Sequence, residues 1–199
     1  MNKAYDIKRE SNSTTSDLLE TEPQLESAID INTQHTVELK IEQLEKRTKH
    51  ILAKIYIPHS LDRVWQVLTN YEAFADFMPS LNECRRLDPS SEGIRIEQVR
   101  TKSFMGMSFS ASSIFDIEEK FPHEIHYRLV EGDMNALSGY WRLKPKQLEN
   151  GKAVVELIYD FTVCPKRIFP MALVEHVLSH DIPDTMVAIR ERVAQLYDS

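Results

Sequence analysis

The longest helical pattern in the chain runs over Met171–Tyr197. Apolar residues stand at Leu173, Val177, Met186, Ile189, Val193 and Leu196, with Ile182 bridging the two halves. From Met186 on, their steps of three and four residues describe one helical face. Asp184, Arg190, Glu191, Arg192 and Gln195 take the opposite face. A helix this one-sided must cover something. The preceding residues alternate with the period of strands, so the expected partner is a sheet. Pro183 lies inside the pattern. With Asp181 as a cap and Pro183 in a first turn, where proline is tolerated, the segment divides into Met171–Ser179 and Pro183–Tyr197. The expectation is a kink or break that lets the first piece gate a cavity while the second packs on the sheet.

The rest of the ordered chain alternates in twos. Val37, Leu39 and Ile41, then Ile51, Ala53, Ile55 and Ile57, read as one long bent strand or a hairpin ended by Pro58. Ser60 opens a helix over Leu61–Thr69 with Val64, Trp65 and Leu68 on one face, and Tyr71–Phe77 forms a second short helix. Strands follow at Cys84–Leu87 and Gly93–Lys102, then with inward sets Phe109–Ile117, Ile125–Leu129, Gly139–Leu143 and Ala153–Val163. Glu131–Leu137 reads as a loop, Pro145 as a strand end, and Glu149-Asn150-Gly151-Lys152 as a hairpin turn. Short turns between successive strands imply an antiparallel meander. Met1 to His35 is polar, acidic and poor in large apolar residues. It is expected to be a disordered arm (1–35) ahead of one folded domain (36–199).

Composition narrows the function classes. A net charge of -7, with Lys and Arg scattered among acids, argues against nucleic-acid binding. No apolar run approaches the ~20 residues of a membrane span. The first residues have no apolar core of a signal peptide. Two cysteines, Cys84 and Cys164, suit a reducing compartment, and a cytoplasmic location is expected. Five glycines form no phosphate-cradling loop, so no nucleotide cofactor is expected. There is no Gly-x-Ser-x-Gly elbow. His176 and His180 share a helical face but lack an HExxH pattern or a third ligand, so they read as a surface pair rather than a metal site.

Particular words in the sequence carry a resemblance. They are Ile57-Pro58 followed by Val64-Trp65-Gln66-Val67-Leu68-Thr69-Asn70-Tyr71-Glu72 and Phe77-Met78-Pro79. Next come Phe121-Pro122-His123-Glu124-Ile125, Glu131-Gly132-Asp133 and Ser138-Gly139-Tyr140-Trp141-Arg142-Leu143, and last Ile189-Arg190-Glu191-Arg192. From about Val37 onward the chain resembles the START-like superfamily. The nearest branch is that of polyketide cyclase/dehydrase-like and coenzyme-Q-binding proteins, particularly from cyanobacteria and plastids. The resemblance implies an α+β helix-grip fold. About seven antiparallel strands would curve around a long C-terminal helix, with two short helices after the first strand. It also implies a cavity between sheet and helix.

Within that frame the inward aromatics Phe109, Phe115, Tyr127, Trp141 and Tyr159 either line a cavity or fill the core. Ala111 and Ser113 leave volume that something must occupy. Gln98 and Arg100 share strand parity with Ile94 and Ile96, and meet a polar ligand head unless a bulge near Val99 reverses them. Phe77 and Met78 on one side, and Met186 and Ile189 on the helix, complete the candidate lining. Phe104-Met105-Gly106-Met107 is a turn that either packs on the helix end or touches a membrane surface transiently. Arg95, Glu97, Glu124, Arg128, Glu156 and Asp160 read as the solvent face. Three functions fit: carriage of an apolar small molecule such as a lipid or isoprenoid quinone, a polyketide cyclase or dehydratase, or a protein-interaction module using the acidic arm. The first needs no catalytic residue. The second requires an inward acid or base, for which Arg100, Tyr127, Glu131 and Tyr159 are the candidates.

Overall fold

In the strand Lys49–Ile57 (β2), sequence alternation becomes a sheet with two unlike faces. Ile51, Ala53, Ile55 and Ile57 are at most 1% exposed, while the residues between them are half-buried. A computed structural model describes residues 36–87, 93–148 and 150–198. The expected acidic arm, 1–35, lies outside the described residues. Glu38–Gln43 (β1) pairs antiparallel with β2, and Leu44 N donates to Thr48 O at 3.0 Å in the turn between them. The stretch is therefore a hairpin, not one bent strand. That hairpin raises the sheet to eight strands from the expected seven, and places the two short helices after the second strand.

Leu61–Thr69 (α1) buries Val64, Trp65, Val67 and Leu68. Ser60 takes the extended cap conformation, but its side chain makes no capping hydrogen bond. The second short helix is a 3₁₀ turn, Tyr71–Asp76, which buries Tyr71 and Phe74. The meander follows as Leu81–Leu87 (β3), Ile94–Phe104 (β4), Met107–Lys120 (β5), Glu124–Gly132 (β6), Met134–Gln147 (β7) and Ala153–Pro165 (β8). The order across the sheet is β1-β2-β8-β7-β6-β5-β4-β3, with every pair antiparallel.

Two boundaries differ from expectation. Glu131–Leu137 is not a loop, because β6 runs to Gly132 and β7 starts at Met134. Gly132 makes the sharp change of direction there. Its φ is +146°, and a Cβ at that position would sit 2.4 Å from the Ser112 carbonyl oxygen. Nor does Pro145 end its strand. It pairs with Val155 beyond Arg142, the last residue of β7 paired to β6, so its missing amide faces a free strand edge.

The C-terminal segment is helical throughout. Met171–His176 (α2) runs through a π-helical turn, Val177–Asp181, into Ile182–Tyr197 (α3). Of the kink or break expected near Pro183, the chain shows no break, and the irregularity there is the π turn. A proline in a regular helix clashes with the carbonyl four residues back, here Ser179. The wider π turn makes room for Pro183 without ending the helix. In α3, Met186, Ile189 and Val193 are 0% exposed and pack toward β2 and α1. The outward charges of the sheet pair with one another. Arg95 Nε donates to Asp116 Oδ1 at 2.7 Å, Arg142 Nε to Glu124 Oε1 at 2.7 Å, and Tyr140 Oη to Asp160 Oδ2 at 2.9 Å. Arg95, Glu124 and Asp160 lie on the outer face, as their parity predicts, whereas Glu156 on the same face is buried beside Tyr56 and Lys146.

Candidate functional site

A cavity of about 240 Å³ lies between the sheet, α2 and the π turn. Its position follows from the packing just described. Met186, Ile189 and Val193 bring α3 onto β2, whereas α2 and the π turn stand away from β4 and β5. The β strands line the gap in parity order: Ile96, Gln98, Arg100 and Lys102 from β4, then Phe109, Ala111, Ser113 and Phe115 from β5. The β4–β5 register is unbroken across Val99, so Gln98 and Arg100 keep the parity of Ile96. The irregular pairing of this region lies in β3, between Leu81 and Glu83.

The floor is aromatic. Trp141 and Tyr159 pair across β7 and β8, and their rings stack at 3.7 Å with 1° between planes. Phe161 lies 4.5 Å from Tyr159, and Phe115 meets Tyr127 edge-on at 5.7 Å. Gly139 makes this possible. It pairs with Phe161, and a Cβ there would come within 2.4 Å of the Phe161 Cβ. Tyr127 Oη donates to Tyr159 Oη at 3.1 Å. Burial pushes both phenols upward from their ordinary pKa, and for Tyr127 the neighbouring Tyr159 adds to the effect. The nearby Arg100 charge opposes this rise at both rings.

The mouth holds a polar cluster that the sequence reading missed. Buried Asp181, in the π turn, accepts from Lys102 Nζ at 2.7 Å through Oδ1 and from Ser80 Oγ at 2.9 Å through Oδ2. Its backbone oxygen accepts from Thr185 Oγ1 at 2.7 Å. Ser80 has a φ of +61°, a left-handed conformation that costs a non-glycine residue energy. Asp181 therefore serves as the tie between helix and sheet, not as the helix cap expected of it. Proline at 183 was the one local signal that the turn is unusual, and nothing in the sequence paired Asp181 with residues so far upstream.

Of the expected lining residues, Met78, Gln98, Arg100, Phe109, Phe115, Tyr127, Trp141 and Tyr159 border the cavity. Phe77, Met186 and Ile189 do not. Phe77 packs edge-on to Phe74 at 6.0 Å, with the Arg192 guanidinium 5.7 Å from its ring. Met186 and Ile189 are core residues at 0% exposure. Glu131, named above as a candidate acid or base, is exposed and borders no part of the cavity. In the Phe104–Met107 turn, Phe104 packs against His176 at 5.7 Å, while Met105 and Met107 are exposed. The His176 and His180 rings stack at 4.4 Å, and among the described residues no three potential ligands gather around a metal position.

The Zhui aromatase/cyclase from Streptomyces sp. R1128 has a similar fold. Its TM-score is 0.58 at 15% identity, over 74% of this chain and 94% of that one. A START superfamily protein from Mycobacterium smegmatis gives a TM-score of 0.58 at 17% identity, covering 74% and 98%. A STAR-related lipid transfer protein from Xanthomonas axonopodis gives 0.57 at 14% identity, covering 78% and 98%. At such identities the likeness is one of fold, and it agrees with the helix-grip architecture. No curated protein matches the sequence. The sequence profile described as polyketide cyclase / dehydrase and lipid transport matches residues 57–187, more than half of the chain, and the chain belongs to that family.

Proposed function

We propose that this chain binds an apolar small molecule, such as a lipid or isoprenoid quinone, in the cavity and carries it without transforming it. The observation that carries this reading is an aromatic and aliphatic wall around open volume where helix and sheet part. The volume of about 240 Å³ lies just below the roughly 300–1,000 Å³ usual for ligand pockets, so the ligand is small or projects from the mouth. Burial of its apolar surface drives binding at ~25 cal/mol per Å², before ordering costs. Exposed Met105 and Met107, beside α2 through the Phe104–His176 contact, suit brief contact with a membrane surface during loading. Solvent extraction of protein purified from its host, followed by mass spectrometry, tests the reading. A stoichiometric apolar compound is expected. An empty cavity that also takes up no apolar probe overturns it.

The phenol pair supports a second reading, a cyclase or dehydratase. Tyr127 and Tyr159 are held neutral at physiological pH by burial, so they act as proton donors, not bases. Among the described residues Asp181 is the one carboxylate bordering the cavity, and Lys102 and Ser80 occupy both its oxygens. Among the described residues the cavity thus offers a phenol as general acid and a carboxylate already engaged by Lys102 and Ser80, which supports the carriage reading. Turnover of a polyketide-like substrate that is lost in Tyr159→Phe would reverse the order of the two readings.

A further inference from the structure

We infer that the ligand carries a single acidic group, a carboxylate, and that Arg100 receives it. The inference rests on the ligand-binding reading above and names the class of molecule that the same cavity takes.

Charge at the cavity wall points to such a group. Among the described residues the charged side chains bordering the cavity are Arg100, Lys102 and Asp181. Lys102 and Asp181 neutralise each other at 2.7 Å. Tyr71, Tyr127 and Tyr159, which also border it, are neutral, all three raised chiefly by burial. One positive charge is left without a counter-charge. Among the described residues no carboxylate stands within salt-bridge reach of Arg100. Its guanidinium donates from Nη1 to the Pro79 carbonyl at 3.4 Å, well beyond the ~2.7–2.9 Å of a charge-assisted bond. Arginines on the outer face differ, since Arg85, Arg95 and Arg142 each hold a carboxylate.

Space is kept for a partner. Arg100 pairs across the sheet with Ala111, and Gln98 with Ser113. Both opposite residues are small, so the volume beside the guanidinium is open. The planar fork of arginine matches a carboxylate in two parallel hydrogen bonds. A phosphate monoester, with nearly two charges, exceeds the one positive charge available. The aromatic floor of Trp141, Tyr159 and Phe161 then receives the apolar body. The cavity thus has a polar end at β4 and an apolar end at β8.

The test is calorimetric titration of the intact protein, stripped of bound compounds, with decanoic acid, 1-decanol and decylamine at pH 8, below their aggregation limits. The acid is expected to bind at least tenfold tighter than the alcohol, and the amine most weakly. In Arg100→Gln the acid's advantage should fall to less than threefold, while Arg100→Lys, which keeps the charge but loses the fork, retains only part of it. Charge-assisted hydrogen bonds of this kind are worth roughly tenfold to a hundredfold in affinity. Should Arg100→Gln fail to fold, the ranking of the three probes on the unaltered protein and on Arg100→Lys decides. Equal binding of acid and alcohol overturns the carboxylate inference and leaves the carrier reading standing. Binding of none of the three overturns both.

Discussion

The two parts of the C-terminal helix read alike in sequence and do opposite work. In α3, Met186, Ile189 and Val193 lose all contact with solvent against β2 and α1. In α2 and the π turn, Leu173, Val174, Val177 and Leu178 face the cavity instead. Both parts present an apolar stripe, so hydrophobic periodicity does not tell a plug from a wall. The difference lies in the surface opposite. A curved sheet meets a straight helix over part of its length and parts from it over the rest. At the point where contact is lost, the chain supplies a polar tie, Asp181, in place of apolar packing.

Truncation on each side breaks the comparison most directly. Ile189→Ala leaves a hole in a close-packed core and is expected to cost about 2–5 kcal/mol in urea unfolding. Val177→Ala enlarges a space that already exists, and is expected to cost under about 1 kcal/mol while changing probe affinity. Similar losses from both would mean that the cavity wall is packed as tightly as the core. Next in size, Asp181→Asn weakens the bonds from Lys102 and Ser80 and should lower stability by about 1–3 kcal/mol. A Lys102→Met, Asp181→Asn double variant should lose less than the two single losses combined, since both act on one contact.

Alkaline titration sharpens the contrast from the cavity side. The phenols of Tyr127 and Tyr159 have raised pKa values in the fold. Above the ordinary tyrosine value near pH 10, the unfolded chain has released protons that the folded protein still holds. Their contribution is thus complete below about pH 10 and is lost as pH rises further. Urea midpoints at pH 9 and pH 11 should differ more for the natural protein than for the Tyr127→Phe, Tyr159→Phe variant. The smallest effect is expected from Pro183→Ala, under about 1 kcal/mol. Hydrogen exchange of the amides at 180–184 should show the wide turn retained, held by Asp181. A tightened turn would assign it to the proline instead.

How far the sequence was legible follows the range of the interactions. Strand parity placed Gln98, Arg100, Phe109, Phe115, Tyr127, Trp141 and Tyr159 on the correct side of the sheet, because alternation is a local property. The first hairpin is ambiguous in sequence because its turn, Leu44–Thr48, holds Glu45, Lys46 and Arg47 and no glycine. Met186 and Ile189 were placed in the lining because nothing local marks where the helix leaves the sheet. Ser80, Lys102 and Asp181 went unseen as a set. They meet across separations of 101 and 79 residues, and each alone looks like an ordinary surface residue.

The sheet order has a consequence for the timing of folding. β2 lies between β1 and β8, and His50 finds Asp160 across a separation of 110 residues. As the chain leaves the ribosome, the apolar face of β2 has one neighbouring strand, and the long helix α3 that packs on it has not yet been made. It waits in that state until β8 and then α3 have been made. Contacts between distant parts of a chain form slowly, because a large loop must close before they are gained. For most of its synthesis the protein therefore exposes the face that later becomes its most buried, and a chaperone that shields alternating apolar segments has its longest opportunity at residues 51–57.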